Sequence, residues 1–163
     1  MKPRARSWQR PVRPRPATAI EGQRRARLLS WLLTGLTLLV LAAALTMLGL
    51  NADLMAGWLI FEAALAGAAL LYAGTGWLIT KRLPGNAIGW LLGLIGLLVA
   101  AEMLTEQYTV YGLVTAPGSV PGTRPAGWFS TVMIEMALFL LLFLLLLFPD
   151  GRLPSRRWRS LRL

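Results

Sequence analysis

Between Leu28 and Phe148 charged residues are so sparse that the chain divides into four long apolar runs parted by short polar breaks. The first, Leu28 to Leu50, has no charge, and at 1.5 Å per residue it makes about 34 Å of helix, enough to cross a bilayer once. The second, Leu54 to Thr80, carries one acid, Glu62. The third, Ala87 to Leu104, carries Glu102, and its helix runs on to Glu106. The fourth, Ala126 to Phe148, carries Glu135. Its fourteen Leu, Ile, Phe and Val residues, at roughly −0.3 to −0.6 kcal/mol each, outweigh about +3 kcal/mol for the acid, so it inserts on its own. Only nine such residues oppose Glu102, so the third span leans on Trp90 at the interface, on Lys81 and Arg82 before it, and on neighbouring helices. The pattern predicts an all-α membrane protein, a bundle of four transmembrane helices.

Periodicity within the spans is more pointed. In the second span Glu62, Ala66, Ala69, Ala73 and Gly76 recur at helical spacing and share one face, and small residues let helices approach closely. That face points into the bundle and carries Glu62 with it. In the third span Gly89, Gly93, Gly96 and Ala100 form a second small stripe, with Glu102 and Glu106 on a different face. The stripe fits packing within one bundle or between two copies. In the fourth, Trp128, Thr131 and Glu135 line one face. Counted from the outer ends, Glu62 and Glu135 lie roughly 12 Å deep and Glu102 shallower. The three acids are therefore expected to converge on a polar pocket responsive to protons, cations or a small cationic ligand, with Arg124 as a counter-charge. The competing expectation is that each acid hydrogen-bonds a neighbouring helix as packing glue.

Charge sets the orientation. Met1 to Arg27 holds nine basic residues, the turn after the second span holds Lys81 and Arg82, and the tail after the fourth holds five. The other side receives Arg124 alone, so both termini are expected in the cytoplasm of a bacterium, with the bundle in its inner membrane. Arg24 and Arg25 before an apolar run faintly suggest a twin-arginine signal, but the span is too long and too apolar for a cleaved one, and a signal anchor fits better. Cleavage after Ala44 would leave the remaining topology unchanged. The net charge of +10 lies beside the membrane, where anionic lipid headgroups are the nearer partner, and no nucleic acid is expected. Residues 1–27, rich in Arg and Pro, read as a disordered tail whose Trp8 touches headgroups, 28–148 as the membrane domain, and 149–163 as a second basic tail. With no Cys and no His, disulfides, thiol redox chemistry and His- or Cys-ligated haem or zinc are excluded for this chain, and no cofactor is expected. The acids lack a companion for a catalytic set, so the chain does not read as an enzyme. Glu106 to Pro125 is too short for a domain, and its two Pro-Gly pairs, Pro117-Gly118 and Pro121-Gly122, predict an ordered surface loop.

Two further segments stand out at the basic ends. From Ile79 to Leu92 the basic pair ending at Arg82 marks the interface, Pro84-Gly85 reverses the chain, Asn86 is positioned to cap the next helix, and Trp90 sits at headgroup depth. From Leu147 to Arg159 the chain breaks at Pro149, turns at Asp150-Gly151, and lays Arg152, Arg156, Arg157 and Trp158 along the surface. These segments, with the intervening Tyr108 and Pro-Gly loop, resemble the N-terminal membrane region of bacterial sensor histidine kinases. The resemblance covers roughly Gly76 to Arg159. It implies the sensor or input part of a two-component system and a homodimer, truncated before the kinase domains, since a chain without histidine cannot phosphorylate itself on one. The alternative is a standalone membrane protein acting as partner subunit for a kinase or an export machine. A transporter fragment is disfavoured by the absence of inverted repeats.

Overall fold

A computed structural model describes the backbone of residues 17–147 and side chains from residue 21. The Pro-rich segment before Ala17 and the turn residues Pro149, Asp150, Gly151, Arg152, Arg156 and Arg157 lie outside the described residues. Within them the chain is helical: α1 (Ala17–Leu50), the single turn α2 (Ala52–Met55), α3 (Leu59–Arg82), α4 (Ala87–Val110) and α5 (Thr123–Leu147). A π-helical turn, Tyr111–Thr115, prolongs α4. Four of the helices are long and apolar enough to cross a membrane.

Helix boundaries differ from expectation in ways the side chains explain. Residues 17–27 continue α1 rather than belonging to a disordered tail. The last proline before them is Pro16, and Glu21 and Arg25, one turn apart, pair at 3.6 Å. The second span starts at Leu59, because Asn51 ends α1 and the chain makes one turn of α2 before Trp58 begins α3. The third runs past Glu106 to Thr115, since nothing before Pro117 removes a helical N–H. Pro117-Gly118 forms a turn, closed by the Ser119 N–H donating to Ala116 O at 3.1 Å, and the chain bends at Pro121 before Gly122; Gly118 at φ 76° and Gly122 at φ 73° occupy the left-handed region that glycine enters without strain. Asn86 caps α4 as expected: its side-chain oxygen accepts from the Ile88 N–H at 2.9 Å, and Trp90 Nε1 donates to Pro84 O at 3.0 Å across the same turn.

The four long helices run alternately up and down, so residues 17 and 147 lie at one end, the basic end, with Lys81 and Arg82. The loop end holds α2 and residues 111–122. α4 is the centre. Half of its most apolar window is buried, against 11% for α5, and it packs on α1, α3 and α5. The two small-residue stripes face each other across the α3/α4 seam in antiparallel register, within this one chain. A β-carbon built on Gly76 would sit 2.5 Å from the backbone nitrogen of Gly93, and one on Gly96 2.8 Å from that of Ala73. The core around the seam is Leu41, Ala44, Ala66, Ala69, Ile95, Val99, Ala100, Met103 and Ala137. The outward faces of α1 and α5 remain broadly apolar, with Leu32, Leu39, Phe139 and Leu145 each about two-thirds exposed, as a lipid-facing surface requires.

Candidate functional site: a buried carboxyl and amide network

At the loop end the apolar seam gives way to hydrogen bonds. Glu62 stands in the first turn of α3, and the antiparallel register sets it opposite Gln107 of α4. Gln107 Nε2 donates to Glu62 Oε1 at 2.9 Å. From the end of α1, Asn51 Nδ2 donates to both the side-chain and main-chain oxygens of Gln107, at 3.0 and 2.9 Å. Thr115, in the π-helical turn, closes the line by donating from its hydroxyl to Asn51 Oδ1 at 2.6 Å. Asn51 and Gln107 are essentially inaccessible, and Glu62 is 3% exposed. Three helices and the loop are thus tied together by one line of side chains, buried at Glu62, Gln107 and Asn51 and reaching the surface at Thr115.

That line leaves a defined remainder. Glu62 Oε2 is buried with no hydrogen-bond partner, and so is Glu102 Oε2. Glu102 and Glu106 stand one turn apart on α4, and Glu106 shares a cleft with Glu62. Glu62 and the half-buried Glu106 line a cleft of ≈ 200 Å³ with Met55, Trp58 and Phe61, and the two aromatic rings meet edge to face at 6.2 Å. Buried polar atoms in native structures are nearly always paired, so these two carboxyl oxygens without a partner set the loop end of the α3/α4 seam apart from its apolar middle. Among the described residues, no group of three or more carboxylates is arranged to hold a metal ion.

Of the three acids singled out in the sequence, Glu62 and Glu102 are buried on α3 and α4, and the third is not. Glu135 is exposed on α5, beside Leu138, Phe139 and Leu142 in a separate hollow. Glu106 takes the place expected for it. The depths are also reversed. Glu62 is about 5 Å from the start of α3, and Glu102 about 12 Å from the end of α4, because α3 begins later and α4 ends later than the pattern indicated. Arg124 is exposed and makes no ion pair with the cluster among the described residues. Of the turn residues, Arg82 ends α3 while Pro84, Asn86 and Trp90 build the tight basic-end turn described above.

Asn51, Gln107 and Thr115 were not anticipated. A signal for Gln107 existed: the stripe Gly89, Gly93, Gly96, Ala100 continues at helical spacing through Met103 to Gln107, and every one of these is buried. The α3 stripe likewise continues to Thr80, buried and hydrogen-bonded to Ser30 at 2.5 Å, so each end of the seam is closed by polar side chains. Comparison with family models, with curated proteins and with solved structures finds no match.

Proposed function

We propose that this chain is the membrane-embedded input module of a bacterial two-component sensor kinase, with both termini in the cytoplasm and the loop end outside. In this reading the Glu62, Glu102, Glu106 and Gln107 cluster is the element that responds to protons or cations. The observation that carries it is the buried, unpaired Glu62 oxygen in a hydrogen-bonded line that joins α1, α3, α4 and the loop, with a second unpaired carboxyl oxygen on the buried Glu102 of α4. A change of charge there alters hydrogen bonds shared by several helices, whereas an isolated acid would affect one. The turn at Arg82, Pro84, Asn86 and Trp90 and the tail motif from Pro149 to Arg157 supply the likeness to sensor kinases, whose catalytic parts lie beyond these 163 residues. Homodimerisation belongs to the same proposal.

Because the chain has no cysteine, orientation can be tested by single substitutions. Ser119→Cys should react with a membrane-impermeant maleimide on intact cells, and Gly85→Cys only after lysis. The reverse result removes the outside-facing site. The signalling role is tested by reading the gene past codon 163 and assaying the whole product in proteoliposomes for ATP-dependent self-phosphorylation as external pH and cation concentration vary. The expected result is a response lost in Glu62→Gln and Gln107→Leu. A frame that stops at codon 163 favours the second reading, a partner subunit without kinase domains, and a full-length kinase whose response is unaltered in both variants sinks the role given to the cluster.

A further inference from the structure

The basic end of the bundle holds a second pocket that the proposed function does not use. It lies between α1 and α3, measures ≈ 150 Å³, and is lined by Arg27, Ser30, Trp31, Trp77 and Lys81. Beside it the Ser30 and Thr80 hydroxyls meet at 2.5 Å, and Thr80 also donates to Gly76 O, so the small-residue seam is closed on this side. Trp31 and Trp77 stand edge to face at 5.0 Å. The Lys81 ammonium lies 4.6 Å from the centre of the Trp77 ring. Against this well-made setting one group is unexplained: the indole N–H of Trp77 is buried and has no acceptor.

An orphaned N–H donor beside two cations describes a site whose missing component is an anionic oxygen. Its position narrows the source. Arg27 is the last charge before the apolar part of α1, and Lys81 is one residue from the end of α3, so the pocket lies where phospholipid phosphates lie. Leading away from it toward the middle of the bundle, Leu38 and Leu45 of α1, in helical phase with Arg27 and Trp31, and Leu70 of α3, in phase with Trp77 and Lys81, form an exposed apolar strip. An acyl chain can cover that strip, and a free phosphate ion has no use for it.

We propose that this pocket binds the phosphate of an anionic phospholipid. Arg27 and Lys81 pair with its charge, Trp77 donates its indole N–H to a phosphate oxygen, and an acyl chain follows the leucine strip. Lys81 leaves the face of the Trp77 ring as its ammonium turns to the phosphate. The site is independent of the carboxyl network at the other end of the bundle, and its failure would leave that reading untouched.

The test is native mass spectrometry of the purified full chain in mild detergent, titrated with phosphatidylglycerol or phosphatidylcholine. The wild type should retain phosphatidylglycerol in preference to phosphatidylcholine. Trp77→Phe keeps the ring and removes only the N–H, and should weaken phosphatidylglycerol binding about tenfold, the usual worth of a hydrogen bond to a charged group. The double variant Arg27→Gln with Lys81→Gln should lose more. Arg24→Gln with Arg25→Gln removes the same charge from outside the pocket and should change binding less than twofold. Circular dichroism confirms that each variant remains helical. The proposal is overturned if the pocket variants match the Arg24 and Arg25 control, if the two lipids bind alike, or if millimolar inorganic phosphate displaces phosphatidylglycerol from the wild type.

Discussion

Replacing Gly76 by alanine tests whether the α3/α4 seam holds the bundle together. The added β-carbon would meet Gly93 N at 2.5 Å, Gly89 O at 2.7 Å and Gly93 Cα at 2.9 Å, and all three are backbone atoms that no rotamer change can move. Ordinary contact begins near 3.4 Å, so the helix axes must part locally by about 0.9 Å. A gap of that size forfeits a quarter to a half of the dispersion energy of each neighbouring contact, here those of Ala69, Ala73 and Gly96. It also stretches the hydrogen bonds that end the seam, Ser30 to Thr80 and Gln107 to Glu62. Overpacking of this kind costs about 1–3 kcal/mol. Gly74 lies two residues away on the same helix with open space around its missing side chain, so Gly74→Ala should be neutral or slightly stabilising through helix propensity, by up to about 1 kcal/mol. The pair is read by equilibrium unfolding in mixed micelles, followed by far-ultraviolet circular dichroism. Equal midpoints for Gly76→Ala and Gly74→Ala would refute the register on which the whole description of the seam rests.

Three further outcomes follow from the same geometry. Gly96→Ala, which meets the backbone of Ala73 and Ala69, should destabilise nearly as much as Gly76→Ala, while Gly93→Ala meets mainly the mobile end of the Leu33 side chain and should cost distinctly less in the same unfolding assay. A double-mutant cycle on Glu62→Leu and Gln107→Leu should return a coupling of about 0.6–1.7 kcal/mol, and additivity would mean that the 2.9 Å bond contributes nothing. Asn86→Ala, which removes the acceptor for the Ile88 N–H, should lower stability by about 1 kcal/mol, with Asn86→Asp recovering most of it in a thermal melt.

Much of this fold was legible because a membrane helix advertises itself by length and apolarity, and because glycine and alanine at helical spacing mark where two backbones meet. Element ends were less legible, since they depend on local hydrogen bonds. Asn51 reads as a polar break between two apolar runs, yet its side chain is buried and bonded to Gln107 and Thr115, far along the sequence. The extension of α4 through Thr115 was hidden for a related reason. Residues 107–115 are polar enough to look like loop, and become helical because Gln107 has a partner on α1 and another on α3.

Glu135 shows where counting depth along a helix fails. Depth fixes the level of a residue and leaves its direction around the axis open, and the direction is set by whichever face of the helix finds a surface to pack on. On α5 the residues Gly127, Ser130, Ile134, Ala137, Leu141 and Leu144 recur at helical spacing, and none of them is exposed. Gly127 lies against Thr109 of α4, and Ala137 belongs to the core. A residue two positions before Ala137 is turned about 200° away from it, so the packing that seats α5 drives Glu135 outward. Glu62 escapes that outcome because it stands in phase with Ala66, Ala69 and Ala73, on the side of α3 that faces α4. For Glu62 and Glu135, burial follows the phase of the acid with the face its helix packs on α4, which depth along the helix does not give.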